Sequence, residues 1–205
     1  GPLPIGRGVS VPPHTEVASS PPWVALVFAL VADGTLFVSL LFGTLYLWIA
    51  APNWPPSATP GTSLGLALGV VAALALATVA ARGSLRALAA GRKPQAWMVL
   101  AALLLAASIA ALLELIGGIM PHPREHALGA TAAALLGYVI AHAAIGLLFL
   151  ASNSWRNAAG YLSPRRTLDL RLTRLWLDYT AVTAAIAMAL VLALPSLVGM
   201  LGART

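Results

Sequence analysis

The sequence contains no cysteine and little charge, and both absences narrow the range of functions. Without a thiol, disulfide bonds, thiolate metal sites and cysteine nucleophiles are excluded. Charged residues make up 9% of the chain, against about 25% in an ordinary soluble domain. Hydrophobic residues make up 60%. This composition predicts an integral membrane protein.

The net charge of +6 does not indicate a nucleic-acid partner. The arginines lie in connections between apolar runs and form no basic stripe with interleaved aromatic residues. We therefore expect membrane lipid, and no nucleic acid, among the partners of the chain.

Five apolar runs are long enough to cross a hydrocarbon core, which requires about 20 helical residues. They are predicted as helices at residues 23–49, 64–81, 95–119, 128–151 and 176–201. Residues 1–22 are rich in proline, glycine and serine and lack the apolar core of a signal peptide, which predicts an extended cytoplasmic arm. The expected fold is all-α and integral to the membrane, with a five-helix transmembrane domain over residues 23–205.

Arginine and lysine are distributed unequally between the two sides of these predicted spans. Ten lie on the side of the N-terminus, and only Arg124 and Arg204 lie on the other. Because cytoplasmic loops retain positive charge, the N-terminus is predicted to be cytoplasmic and the C-terminus periplasmic, in a bacterial inner membrane. All six tryptophans, Trp176 among them, fall near predicted helix ends, where indole prefers the interface.

Four ionisable residues lie within the predicted spans: Asp33, Glu114, His142 and Asp178, the last at the predicted start of the fifth helix. Asp33 is about 15 Å inside its helix, where a carboxylate costs several kcal/mol. It is either a proton-accessible or ligand-facing acid, or a protonated carboxyl bonded to a neighbouring helix. We expect Glu114 to snorkel or to pair, and His142 to act as a polar contact between helices.

The same residues argue against several activities. A bis-histidine haem site needs two histidines on facing helices, and the predicted spans contain one. Copper and zinc sites fail for the same shortage of ligands. Three scattered polar residues are also a poor proton relay. We expect no catalytic residue and no metal or haem bound by this chain.

Several glycines are candidates for close contact with lipid or with another helix, since small residues let backbones approach in a membrane. These candidates are Gly61, Gly65 and Gly69, which are four residues apart, and Gly137 and Gly146, on either side of the histidine. The alternative is that they reflect only a composition rich in alanine and glycine.

Motif order carries further information. Residues 32–43, ADGTLFVSLLFG, precede a Trp-Pro-Pro sequence at residues 54–56, and residues 137–146 read GYVIAHAAIG. Both segments resemble subunit III of the haem-copper oxidases, whose signature Gly-x-His-Gly-x-His-Val-x-x-Gly retains its second histidine and outer glycines here. Val139 replaces its first histidine.

The resemblance continues toward the C-terminus. Arg156 and the Gly160-Tyr161 turn fall where the family has an arginine and a Gly-His-Phe turn. Residues 177–179 fall at the start of the family's last helix, with residues 174–175 replacing its Trp-His pair.

The resemblance implies the five-helix form of an accessory subunit. Such a subunit has no catalytic centre; it packs on subunit I, which holds haem and copper, within a complex that includes subunit II. It binds phospholipid and supports proton uptake, so Arg156 is a candidate contact. Asp33 takes the place of the family's intramembrane carboxylate. The arm is similar to the junction where subunit III follows subunit I in a fused polypeptide. The alternative is a small transporter or channel subunit with Asp33 and His142 as a proton path.

Overall fold

A computed structural model describes residues 3–4, 10–11, 20–50, 64–118 and 126–202. In the last helix, the surroundings of the side chains are described up to Val191. It contains five long helices: α1 Pro21–Ala50, α2 Leu64–Ala89, α3 Gln95–Gly117, α4 Ala127–Ala158 and α5 Leu168–Gly202. Each includes a stretch long and apolar enough to cross a membrane, as predicted. In the arm, the two-residue strands β1 (Leu3–Pro4) and β2 (Ser10–Val11) pair antiparallel.

Three helices run farther than their apolar sequence predicts. Compared with the predicted ends at residues 81 and 151, α2 continues to Ala89 and α4 to Ala158, and α5 begins at Leu168 rather than at residue 176. Alanine, leucine and arginine all favour helix, so the backbone stays helical after the hydrocarbon-like stretch has ended. Hydropathy marks only the apolar part of each helix.

These extensions lie at the same end of the helix bundle. The Asn157 side-chain amide on α4 donates to the Gln95 side-chain oxygen at the start of α3, 3.2 Å away. Arg156 on α4 bonds Asp169 in the first turn of α5, also at 3.2 Å. We call this end, which carries the connections 90–94 and 159–167, the basic end.

The helices α2, α3, α4 and α5 form a closed ring, in which α2 and α4 each pack against both α3 and α5. Leucines including Leu74, Leu105 and Leu135 fill the centre. The first helix stands outside this ring and packs on α4 and α5. Its buried residues are Leu30, Phe37 and Thr44, so most of its apolar surface is exposed.

Two glycines permit close contact between helices in the ring. A Cβ atom at Gly83 on α2 would come within 2.6 Å of the Trp97 ring on α3. A Cβ atom at Gly146 on α4 would lie 2.8 Å from Leu177 Cδ2 on α5 and 3.1 Å from Leu105 Cδ1 on α3. Small residues at such positions allow the backbones to approach.

Candidate functional site

Asp33 is bonded to side chains from two other helices. Its Oδ2 atom accepts hydrogen bonds from the hydroxyl groups of Tyr138 and Tyr179, the latter at 2.6 Å. The same oxygen lies 3.0 Å from Nε2 of His142. We call these four residues the Asp33 cluster. The expectation of scattered polar residues was wrong for Asp33 and His142, because α1, α4 and α5 bring them into direct contact.

The helical geometry explains how the cluster is assembled. Tyr138 and His142 are four residues apart on α4 and therefore share one face. Tyr179 projects from α5 toward the same place, and its hydroxyl oxygen is 3.0 Å from that of Tyr138. Since α1 packs on both α4 and α5, a carboxyl on its inner face reaches all three partners.

The hydrogen bonds assign the protons of the histidine. His142 Nδ1 lies 2.8 Å from the backbone carbonyl oxygen of Tyr138. A carbonyl oxygen only accepts, so Nδ1 carries a proton and donates it. Nε2 then either donates to a carboxylate or accepts from a carboxylic acid. In both cases Asp33 and His142 share one proton between them.

The hydrogen bonds at Oδ2 favour a charged carboxylate at Asp33. All three partners meet at Oδ2, and a carboxylate oxygen can accept from several donors at once. The hydroxyl oxygen of a protonated acid would have to donate one bond and accept two. The two tyrosine hydroxyls therefore stabilise negative charge on Asp33.

Aromatic rings enclose the histidine. The Trp176 ring stacks on His142 with centroids 5.1 Å apart and an interplanar angle of 7°. Its indole N–H donates to the His142 carbonyl oxygen at 2.9 Å. Phe37 stacks on Tyr138, and Phe149 meets Trp176 edge-on. His142 is consequently only 5% exposed.

Sequence reasoning missed Tyr138, Trp176 and Tyr179. Trp176 was expected at the start of the fifth helix, and this was wrong: α5 begins at Leu168, and the Trp176 side chain is buried against its neighbours. The spacing of these residues gave a weak signal that they share a helix face with one another. Tyr138 precedes His142 by four residues, and Tyr179 follows Trp176 by three.

Asp178 lies beside the cluster along α5 and forms a second charged group. Its carboxylate accepts from Arg82 Nη2 on α2 at 3.0 Å and from Arg174 Nε on α5 at 3.3 Å. Contrary to the prediction, Asp178 is not at the start of the fifth helix, because α5 begins ten residues earlier at Leu168. The Arg82–Asp178 ion pair connects α2 to α5, and Asp178 directly precedes Tyr179 in the sequence.

Replacing Asp178 by asparagine is expected to lower the free energy of unfolding by about 1 kcal/mol at low salt, since partly exposed ion pairs contribute little individually. The difference should shrink as salt screens the arginines. Denaturation of the purified chain at two salt concentrations measures this effect. Asp169→Asn, which removes the single contact with Arg156, should have a smaller effect, and equal effects at both salt concentrations would contradict the ionic explanation.

The remaining candidates lie apart from the Asp33 cluster. Arg156 contacts Asp169 across the α4–α5 hairpin. The Glu114 side chain is exposed near the end of α3 and makes no hydrogen bond or ion pair to any residue that the structure describes. Among the glycines, Gly146 contacts two helices, whereas a Cβ would meet nothing within 4 Å at Gly65, Gly69 or Gly137. Gly61 lies outside the described residues.

Chemically, this arrangement can hold one proton and tie α1 to α4 and α5. Within the described ranges, histidine, aspartate and glutamate form no group of three or more that could hold a metal ion. No protein-family model matches the chain, and no curated protein matches it.

Proposed function

We propose that this chain is the non-catalytic subunit III of an aerobic respiratory haem-copper oxidase. The contact between Asp33 and His142 supports this proposal most strongly. Asp33 belongs to residues 32–43 and His142 to residues 137–146, the two segments that most resemble the family. They lie 109 residues apart in the chain and meet at 3.0 Å in the fold. The resemblance therefore concerns residues that contact one another.

The proposed subunit lies in the bacterial inner membrane with its N-terminus in the cytoplasm. Subunit I, which would hold the haem and copper, and subunit II are its proposed partners. The exposed apolar surface of α1, which includes Phe28, Val31, Phe42 and Ile49, offers area for packing on subunit I or on phospholipid. The shared proton of the Asp33 cluster suits a supporting role in proton uptake.

Affinity purification of the chain in mild detergent tests the partner. We expect it to retain a larger membrane protein with the absorption spectrum of haem a, b or o. A colourless homo-oligomer that conducts protons in liposomes would contradict the oxidase proposal.

Within such a complex, Asp33→Asn is expected to leave assembly and the initial rate of oxygen consumption intact but to shorten the active lifetime. Asparagine keeps the size and a hydrogen-bond acceptor, but it cannot share a proton with His142 as a carboxyl group does. Oxygen consumption recorded over many turnovers measures the lifetime. Ser39→Ala, on the exposed face of α1, is the matched control. Loss of the whole complex in Asp33→Asn would show that Asp33 is needed for assembly and would contradict this prediction.

A second candidate is a small proton-conducting transporter or channel subunit that uses Asp33 and His142. The shared proton favours it, together with the 22% exposure of the Asp33 side chain. The purified chain in liposomes would then pass protons, and His142→Gln would stop the flux. Proton flux unchanged by His142→Gln would exclude this path.

A further inference from the structure

The basic end carries an excess of cations over its carboxylates. The nearest acids among the described residues are Asp169 and, about three turns into α5, Asp178. They are already bonded to Arg156, and to Arg82 and Arg174, respectively. The other cations form no ion pair within the described part of the chain: Arg86, Arg92, Lys93, Arg165, Arg166 and Arg171. This end of the bundle therefore attracts anions.

One connection at this end adds exposed aromatic surface to its cations. Trp155 at the end of α4 is 69% exposed and Tyr161 is 41% exposed, yet their rings contact each other with centroids 6.4 Å apart. Arg165 and Arg166 follow in the same connection, and Arg165 is exposed. Two exposed rings therefore lie within a few residues of two arginines that form no ion pair in the described part of the chain.

The backbone of this connection is well defined by hydrogen bonds. Gly160 adopts a φ of 77°, which favours glycine, and the Tyr161 N–H donates to the Arg156 carbonyl oxygen at 2.9 Å. The Arg166 N–H donates to the Ser163 carbonyl oxygen at 2.8 Å. Leu162, which lies between these two hydrogen-bonded turns, has a buried side chain that holds the connection against the helices. The rings and cations therefore have a preformed backbone support.

We propose that the α4–α5 connection binds the phosphate of an anionic phospholipid headgroup through Arg165 and Arg166, with Trp155 and Tyr161 against the glycerol and first acyl carbons. Guanidinium groups bind phosphate through paired hydrogen bonds, and indole and phenol rings prefer the depth at which headgroups meet acyl chains. The connection joins two helices that can each span a membrane, which favours a lipid over a soluble acidic protein. This site does not depend on the proposed oxidase partner.

Titration of phosphatidylglycerol into the delipidated full-length chain in zwitterionic detergent, followed by native mass spectrometry, tests the site. The double variant R165Q/R166Q is expected to lower the apparent affinity at least about tenfold, since each cation near an anionic lipid contributes about 1 kcal/mol. The matched control R92Q/K93Q removes the same charge from the other connection at this end. Its effect should be clearly smaller than that of R165Q/R166Q.

Three further measurements distinguish a specific site for anionic lipid from nonspecific attraction to charge and from a site for free phosphate. Trp155→Ala keeps the charge and should still weaken phosphatidylglycerol binding, because the ring contributes contact with the lipid. Phosphatidylcholine should bind more weakly than phosphatidylglycerol, and inorganic phosphate should not displace the lipid. Equal losses in the two double variants, equal binding of the two lipids, an unaffected Trp155→Ala or displacement by phosphate would each overturn the proposal.

Discussion

Replacing Asp33 by alanine is expected to lower the free energy of unfolding by about 3 kcal/mol, since each buried donor that loses its acceptor costs about 1 to 3 kcal/mol. The variant leaves the Tyr138 and Tyr179 hydroxyls and His142 Nε2 without their common acceptor. The partial exposure of the Asp33 side chain lets water replace some of these bonds, which keeps the loss moderate. Unfolding in mixed micelles with increasing denaturing detergent measures it.

The loss should be local to α1, since this helix stands outside the ring. Cleavage of the α1–α2 connection is expected to leave α1 bound in the wild type and to release it from Asp33→Ala during gel filtration. Ser39→Ala, on the exposed face of α1, should release nothing. Combining Asp33→Ala with His142→Ala should cost less than the sum of the two single changes, because the residues are in contact. Additive losses would contradict the pairing.

Replacing Gly146 by valine is expected to destabilise the chain by about 2 kcal/mol, as is typical when extra carbon atoms enter a packed core. The new side chain would meet Leu177 on α5 and Leu105 on α3 at once, so α4 must move away from both neighbours. The same unfolding titration gives the magnitude.

Gly137→Val is the matched control for this experiment. It places the same β-branched side chain on the same helix at a position where a Cβ meets nothing within 4 Å. Its effect should therefore be small, and both variants share any change in intrinsic helix propensity. Similar destabilisation by the two variants would show that propensity, rather than contact with Leu177 and Leu105, determines the cost.

The helix bounds were predictable where the apolar run and the helix end at nearly the same residues. The bounds of α1 and α3 differ from the prediction by at most two residues, because proline-rich segments or charged residues flank their apolar runs. The extensions of α2, α4 and α5 were not predictable from hydropathy, since their arginines are compatible with helix and incompatible only with hydrocarbon.

Two polar residues of the site were predictable from the sequence, but the contact between them was not. Asp33 and His142 stand out in the sequence because polar groups are costly in an apolar helix. Their contact depends on the rotation and axial register of α1 against α4 and α5, which no local pattern specifies. Tyr179 carries no charge, so nothing in its own segment marks it as a partner of Asp33.

The position of α1 outside the ring has a consequence for biosynthesis. Asp33 leaves the ribosome 105 residues before Tyr138 and 146 before Tyr179. At typical elongation rates, roughly 5 to 20 seconds pass before the first of these partners is translated. During that interval α1 has no native neighbour for its acid, and the ring that receives it closes only with the last helix to be made. The first of these five helices to emerge therefore completes its docking only after α4 and α5 have been made.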